Sequence, residues 1–363
     1  MTRVAIYETD YEHIEAAVEQ AFDAFAPPVN GRTVLVKPNI LGAVAPERHI
    51  NTHPSLVRAT VRALKRRGAA RVMVGDNSGM FAYGPNEQTA RTAGIFDAAE
   101  GHYVNLGASP VKVPVKSRFA NDLAFSREVI EADLLVSLPK MKTHVATTIT
   151  GAVKNTYGHL VGGEKTMLHR VAVGPMAFAE AVVDVFQVRR PDFILLDAVT
   201  AMEGQGPSGG QLREVGRVLA SDNAVALDAV MAAMMGLEPR RIPILRIAEE
   251  RGLGPDDLDA IEISGPFEVL PKFKVPPVGM GMGTLIARIG SYVLVQQPIV
   301  RHAKCVKCGS CVKACPVAAI VMADSGPLID YKKCISCFCC HEMCRYEAMD
   351  LSSRMRFFLR LRG

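Results

Sequence analysis

Along the first 265 residues, short apolar runs alternate with segments in which apolar positions recur every three to four residues. RVAIY precedes a helical pattern from about Tyr11 to Phe25, TVLVK precedes another after Pro54, and RVMVG follows it. The order continues with DLLVSLP, a helical segment from about Met176 to Val188, FILLDAV, GRVLA, a helix opened by Asp222 and running to Met235, and a last short strand, AIEIS. Strands that alternate with helices bury both faces of a sheet, so the pattern predicts an α/β fold: a mainly parallel sheet wrapped by helices. Asp10 and Asp222 suit helix N-termini, Gly68 and Gly236 suit C-termini, and Pro27 and Pro28 stop the first helix.

A stretch rich in Pro and Gly, GPFEVLPKFKVPPVGMGMG, ends this alternation, and all nine cysteines follow between Cys305 and Cys344. The predicted division is an α/β domain over 1–265, a linker and packing segment over 266–300, a C-terminal α+β ferredoxin-like domain over 301–350 and a basic tail over 351–363. The most apolar long window, GMGMGTLIARIGSYVLVQQPIV, is broken by Arg288, Gln296, Gln297 and Pro298, which makes it too polar for a membrane span.

The cysteines carry the clearest chemistry. CVKCGSCVKACP begins at Cys305, and CISCFCCHEMC repeats its spacing at an offset of 29 residues. In the bacterial ferredoxin pattern three close thiolates hold one cubane while the fourth reaches the other cluster. That crossing assigns Cys305, Cys308, Cys311 and Cys344 to one [4Fe-4S] cluster, and Cys334, Cys337, Cys340 and Cys315 to a second. A zinc ribbon gives no reason for two tightly spaced quartets. Cys339, between two ligands, reads as a packed free thiol. Arg345 stands where a proline usually follows the last cysteine, and a cation there is expected to favour a reduced cluster.

Composition changes this picture little. The chain is 49% hydrophobic and 22% charged, as a globular protein should be. From Arg301 onward 11 Lys or Arg face 5 Asp or Glu. Two clusters of about two negative charges each offset most of that surplus, so nucleic-acid binding is not needed to explain it. No helix-turn-helix signature is present either. The start, MTRVAIYETDYEH, lacks a basic region followed by an apolar one, so it is not read as a signal peptide, and the expected location is cytoplasmic. The tail SSRMRFFLRLRG is read as an amphipathic segment packed on its own protein, with membrane contact as the alternative.

Ligands of open parallel sheets bind beyond the carboxyl ends of the strands. Here those positions are polar: Lys37 and Asn39 after TVLV, Asp76, Asn77 and Ser78 after RVMVG, Lys140, Lys142, Thr143 and His144 after LLVSLP, and Asp197 and Glu203 after FILL. The densest segment, from Pro139 to His169, also holds Lys154, His159, Lys165 and His169. Lysines supply point charge for an anion, and histidines can exchange protons near neutral pH. His144, His159 and His169, spaced by 15 and 10, fit no metal-ligand motif. GHLVGGEKT has Glu164 where a phosphate-binding loop would have its lysine, GMGMG lacks the dinucleotide spacing, and EGQGPSGG reads as a turn, so neither a flavin nor a nicotinamide site is indicated.

VLVKPNI, the stretch from Thr52 to Gly79, LPKMKTHVATTITGAVKN and LDAVTAMEGQGPSGG followed by ALDAVMAAMMG together resemble the domain of unknown function 362, which is often fused to ferredoxin modules. The resemblance covers about residues 3 to 260 plus the cysteines. It implies that Lys37, Lys140, Lys142, His144 and Lys154 are motif residues, within the KxKTH segment and the TGAVKN segment from Thr150 to Asn155. The candidate catalytic residues are therefore Lys140, Lys142, His144 and Lys154, and the candidate substrate-binding residues are Lys37, Asn39, Asp76, Asn155, Asp197 and Glu203. The expected function is an iron–sulfur oxidoreductase that reduces an anionic or polar substrate held in the α/β domain. The alternative is an electron carrier that docks with a redox partner protein.

Overall fold

The structure is a computed structural model that describes residues 1–79, 86–275, 294–344 and 346–355. Its strands are β1 (Thr2–Glu8), β2 (Thr33–Pro38), β3 (Arg71–Val74), β4 (Pro110–Pro114), β5 (Asp122–Ser126), β6 (Leu134–Leu138), β7 (Lys140–His144), β8 (Thr148–Thr150), β9 (Phe193–Glu203), β10 (Gln211–Ser221) and β11 (Ile261–Ser264). In the cysteine-bearing part follow β12 (Leu294–Val300), β13 (Ile320–Ala323), β14 (Gly326–Ile329) and β15 (Met349–Met355).

One sheet runs in the order β11, β1, β10, β9, β6, β2, β3, with β7 also pairing with β9 and β8 with β7. Pairing is parallel between β2 and β3, β2 and β6, β6 and β9, β7 and β9, and β1 and β11, so the sheet is mostly parallel as predicted. β10 departs from that direction, lying antiparallel to both β9 and β1. Only residues 204–210 join β9 to β10, and a parallel crossover needs a dozen or more.

The helices form where the periodicity placed them. In Ile14–Phe25 the buried residues Ile14, Ala17, Val18, Ala21 and Phe22 make one stripe, and Ala26 is extended before Pro27. Pro54–Arg66 has its proline in the first turn and ends at Gly68, whose φ of 76° is the left-handed conformation of a helix terminus. Asn223, one residue beyond the expected Asp222, caps Ala224–Met234 by accepting the N–H groups of Val225 and Ala226. Two cores result, because successive strand residues face opposite sides: Leu195 packs with the first two helices, while Leu196 packs with Pro175–Val188 and Ala224–Met234.

The cysteine-bearing part holds the pair β12 and β15, the hairpin of β13 and β14, and two short helices, Ser310–Ala314 and Cys339–Glu342. β12 comes from the stretch expected to be linker, so this small sheet draws on both sides of residue 300. The part is held by connections beside the large sheet: Ser208 Oγ donates to the carbonyl of Glu342 at 2.9 Å, and Arg48 pairs with Glu347 at 3.0 Å. Arg345 and most of the basic tail lie outside the described residues, as does most of the long apolar window.

Candidate functional site

The KMKTH segment, expected as a loop, is strand β7, and all five of its residues are buried. Its polar side chains fail the apolar alternation that signals a strand, so sequence pattern misses it. Lys142 and His144 turn toward a cavity of about 80 Å³ beyond the ends of β2 and β3. Lys37, Asn39, Asp76, Lys154 and Asn155 line the same cavity, so the structure brings together seven of the ten residues proposed from the sequence.

A hydrogen-bond network fixes these groups. Lys37 Nζ lies 2.7 Å from Asp76 Oδ1 and 3.2 Å from Asn155 Oδ1, both within donor reach. Asp76 Oδ2 accepts the N–H of Ile40 at 2.8 Å, and Asn155 Nδ2 donates to Ser137 Oγ at 3.0 Å. Gly158 closes over this pair: a Cβ there would strike Asp76 Oδ1 and Lys37 Nζ, so only glycine permits the approach. Lys142 Nζ donates to Asn39 Oδ1 and to the carbonyl of Ile50, each at 2.8 Å. Lys154 Nζ lies over the rings of Tyr157 and Phe178, 5.5 and 5.9 Å from their centroids.

Burial among like charges sets the protonation. Loss of solvation, together with the nearby ammonium groups of Lys154 and Lys140, pulls Lys142 down to about 7. Burial likewise pulls Lys165 down to about 8 and His169 to about 3. His144 is held well below its ordinary value by burial and then by Lys154 and Lys142, so its imidazole is neutral. Its Nδ1 accepts the N–H of Ala146 at 3.0 Å, which leaves the ring proton on Nε2.

Three of the residues proposed from the sequence lie outside this cavity. Lys140 pairs with Asp197 at 2.8 Å, both fully buried, and donates to Tyr11 Oη at 2.8 Å. Tyr11 in turn donates to Asp197 Oδ1 at 3.0 Å, and Asp197 Oδ2 accepts the N–H of His53 at 2.9 Å. Glu203 Oε2 accepts the N–H of Lys274 at 3.2 Å. None of the three lines the cavity. The pairing of β7 with β9 slips between Lys140 and Lys142, which re-aims lysines that a regular strand would present on one face. His144 and His169 both line this cavity, whereas His159 does not.

The remaining wall includes Lys165, His169 and Asn77, and two residues of the cysteine-bearing part, Glu342 and Met343. Glu342 was not expected at all. Burial raises its pKa, the lysines Lys154 and Lys142 oppose that rise, and its Oε1 lies 3.3 Å from His144 Nε2 without hydrogen-bond geometry. The expected turn of residues 204–210 clamps this part in place: Pro207 lines the cavity, and Ser208 holds the backbone of Glu342.

All nine cysteines are free of disulfides. Cys305, Cys308, Cys311 and Cys344 line one small cavity, the set expected for one cluster. Cys334 is influenced by the charges of Cys337 and Cys315, and Cys340 by those of Cys337, Cys334, Cys311 and Cys315, so the other four thiols also stand near one another. Thiolates gathered around a void fit iron–sulfur ligation. Cys339 is fully buried with Sγ 3.9 Å from the carbonyl of Cys337, and Met343 packs beside it.

Residues 297–345 match a 4Fe-4S dicluster domain, which makes this an iron–sulfur cluster-binding protein. The chain is 33% identical over 266 residues to a thylakoid-associated protein of Synechocystis sp., a match spanning 71% of this chain and 81% of the relative. Among solved structures it is similar to a protein of Thermotoga maritima at a TM-score of 0.40 and 13% identity, covering 58% of this chain and 55% of that one. The lactate racemase apoprotein of Thermoanaerobacterium thermosaccharolyticum matches at a TM-score of 0.43 and 12% identity, covering 65% and 57%. The chain thus spans little more than half of either solved structure. Among the described residues no helix is long and apolar enough to cross a membrane. Residues 34–233 match the domain of unknown function (DUF362), and the chain belongs to that family.

Proposed function

We propose that this protein is an iron–sulfur oxidoreductase that delivers low-potential electrons to an anionic or polar substrate held in the cavity between its two parts. The observation that carries this reading is that Glu342 and Met343, flanked by Cys340 and Cys344, form part of the wall of a lysine-lined cavity in the α/β domain. In this reading Cys305, Cys308, Cys311 and Cys344 hold one [4Fe-4S] cluster, and Cys334, Cys337, Cys340 and Cys315 the other. When bound, the clusters supply one-electron chemistry at low potential. Lys142, Lys154 and Lys165 bind the anion, while Asn39 and Asn155 orient it. His144 presents the proton on Nε2 to the cavity, which a reduction needs. Free thiols and cluster ligands also fit a reducing compartment, and we place the protein in the cytoplasm.

The test is anaerobic: reduce the protein with dithionite, follow the clusters by EPR, and screen small anions for reoxidation. His144→Ala should slow substrate-dependent reoxidation by about 10²-fold or more at unchanged iron content. Full reoxidation in that variant would remove the assigned site.

A second reading, an electron carrier for a partner protein, is favoured by one feature. Cys308 is exposed beside exposed Val306, Lys304 and Lys307, which suits docking of an acidic redox protein. Electron transfer that falls steeply with salt, and no anion that reoxidises the clusters, would select it.

A further inference from the structure

The charge and size of the cavity narrow its ligand further than the proposed function does, on which this inference rests. Four lysines line the cavity, with Asp76 and Glu342 as its carboxylates. Asp76 is committed to Lys37 and to the N–H of Ile40. Among the described residues Lys142 donates only to neutral oxygens, those of Asn39 and Ile50, and Lys165 only to the carbonyls of Asn77 and Ser78. Lys154 has no hydrogen-bond or ion-pair partner among the described residues and meets only the faces of Tyr157 and Phe178. Four ammonium groups therefore share two carboxylates, Asp76 and Glu342, while His144 and His169 are neutral.

Volume sets the second limit. A cavity of about 150 Å³ takes benzene. At about 80 Å³, this one has room for a tetrahedral oxyanion at its inner end. We infer that it takes a dianionic oxyanion group of phosphate or sulfate size, either as the free anion or as the end group of a small molecule, clamped by Lys142, Lys154 and Lys165. Burial pulls the pKa values of Lys142 and Lys165 down, a penalty on their charged forms that an arriving dianion relieves.

The experiment is calorimetric titration of the anaerobic, cluster-loaded and oxidised protein with sulfate, phosphate, nitrate and O-phosphoserine, at constant ionic strength in chloride. Sulfate and phosphate should bind one per chain and at least about 10-fold more tightly than nitrate. Lys154→Gln should weaken sulfate about 10-fold and Lys154→Arg should restore it, while Glu342→Gln, which removes the competing carboxylate, should tighten it by up to about 10-fold. A purely structural role for Glu342 would not give that gain. Phosphoserine binding more tightly than phosphate identifies an end group, and the reverse identifies the free anion. Nitrate as tight as sulfate, or sulfate affinity unchanged in both Lys154→Gln and Glu342→Gln, overturns the inference. No turnover is involved, so absent anion binding alongside intact reoxidation by another substrate refutes this inference alone. Anion binding without reoxidation by any substrate refutes the oxidoreductase reading alone.

Discussion

Nε2 of His144 stands 3.3 Å from Oε1 of Glu342, joining β7 of the large sheet to the short helix Cys339–Glu342, which carries Cys340. Both atoms are buried, and neither has a hydrogen-bond partner among the described residues. Burial pushes the two groups toward their neutral forms, the imidazole by lowering its pKa and the carboxyl by raising its own. The contact is therefore poised rather than saturated: each side keeps a polar atom that faces the cavity wall. It also places the cysteine-bearing part against the residues proposed to bind substrate.

Lys140 and Asp197 form a buried ion pair outside the cavity. Asp197→Asn leaves a fully buried ammonium without its counter-charge, a change that typically costs about 3–5 kcal/mol. Chemical denaturation should show this loss, and Lys140→Met combined with Asp197→Asn should recover part of it, because the amide oxygen still accepts from Tyr11 and His53. Sulfate binding should survive in the double variant. Its disappearance would return Lys140 to the site.

Lys142 makes stability depend on pH with a definite sign. In the unfolded chain a lysine keeps its proton to about 10.4, whereas in the folded protein Lys142 loses it near 7. Between those values the unfolded state binds the extra proton, so this group makes the protein more stable as pH rises from about 7 toward 10. Its penalty is fully present below pH 7. Lys142→Met should therefore stabilise the protein at pH 6 by at least about 1.4 kcal/mol, the equivalent of one pKa unit, and the gain should shrink by pH 9. Denaturation midpoints at the two pH values decide it; an equal gain at both would show that Lys142 does not titrate in this window.

Gly158→Ala drives a methyl group into the pair of Lys37 and Asp76. Overpacking of this kind costs about 1–3 kcal/mol, and the same displacement should weaken sulfate binding. Gly163→Ala is the control, because nothing lies within 4 Å of the added carbon, and its effect should stay within about 0.5 kcal/mol. Thermal unfolding of both variants makes the comparison.

Iron analysis tests the cysteine assignment. Wild type and Cys339→Ala should each hold about eight irons per chain, since Cys339 is buried between proposed ligands without being one, while Cys340→Ala should lose about four. Loss of iron in Cys339→Ala would make it a ligand.

Much of this protein is legible from periodicity and spacing. Ile14–Phe25 and Pro54–Arg66 carry their buried stripe and their stop signals within a dozen residues, so local pattern suffices to place them. The 29-residue cysteine repeat is equally local. The convergence of Lys37, Asn39, Asp76, Lys142, His144, Lys154 and Asn155 follows from a general property of parallel sheets, whose strand ends open on one edge.

Other features depend on contacts between distant parts of the chain. Strand direction leaves no trace in a hydrophobic run, and β10 betrays its reversal only by the short connection from β9. Lys140 and Lys142 look equivalent two residues apart, yet a slip in pairing with β9 sends one to Asp197 and the other to the cavity. Glu342 reads as a linker residue between cysteines until packing carries it across to His144, some 200 positions earlier, and a buried charge acquires its role from whatever that packing places beside it.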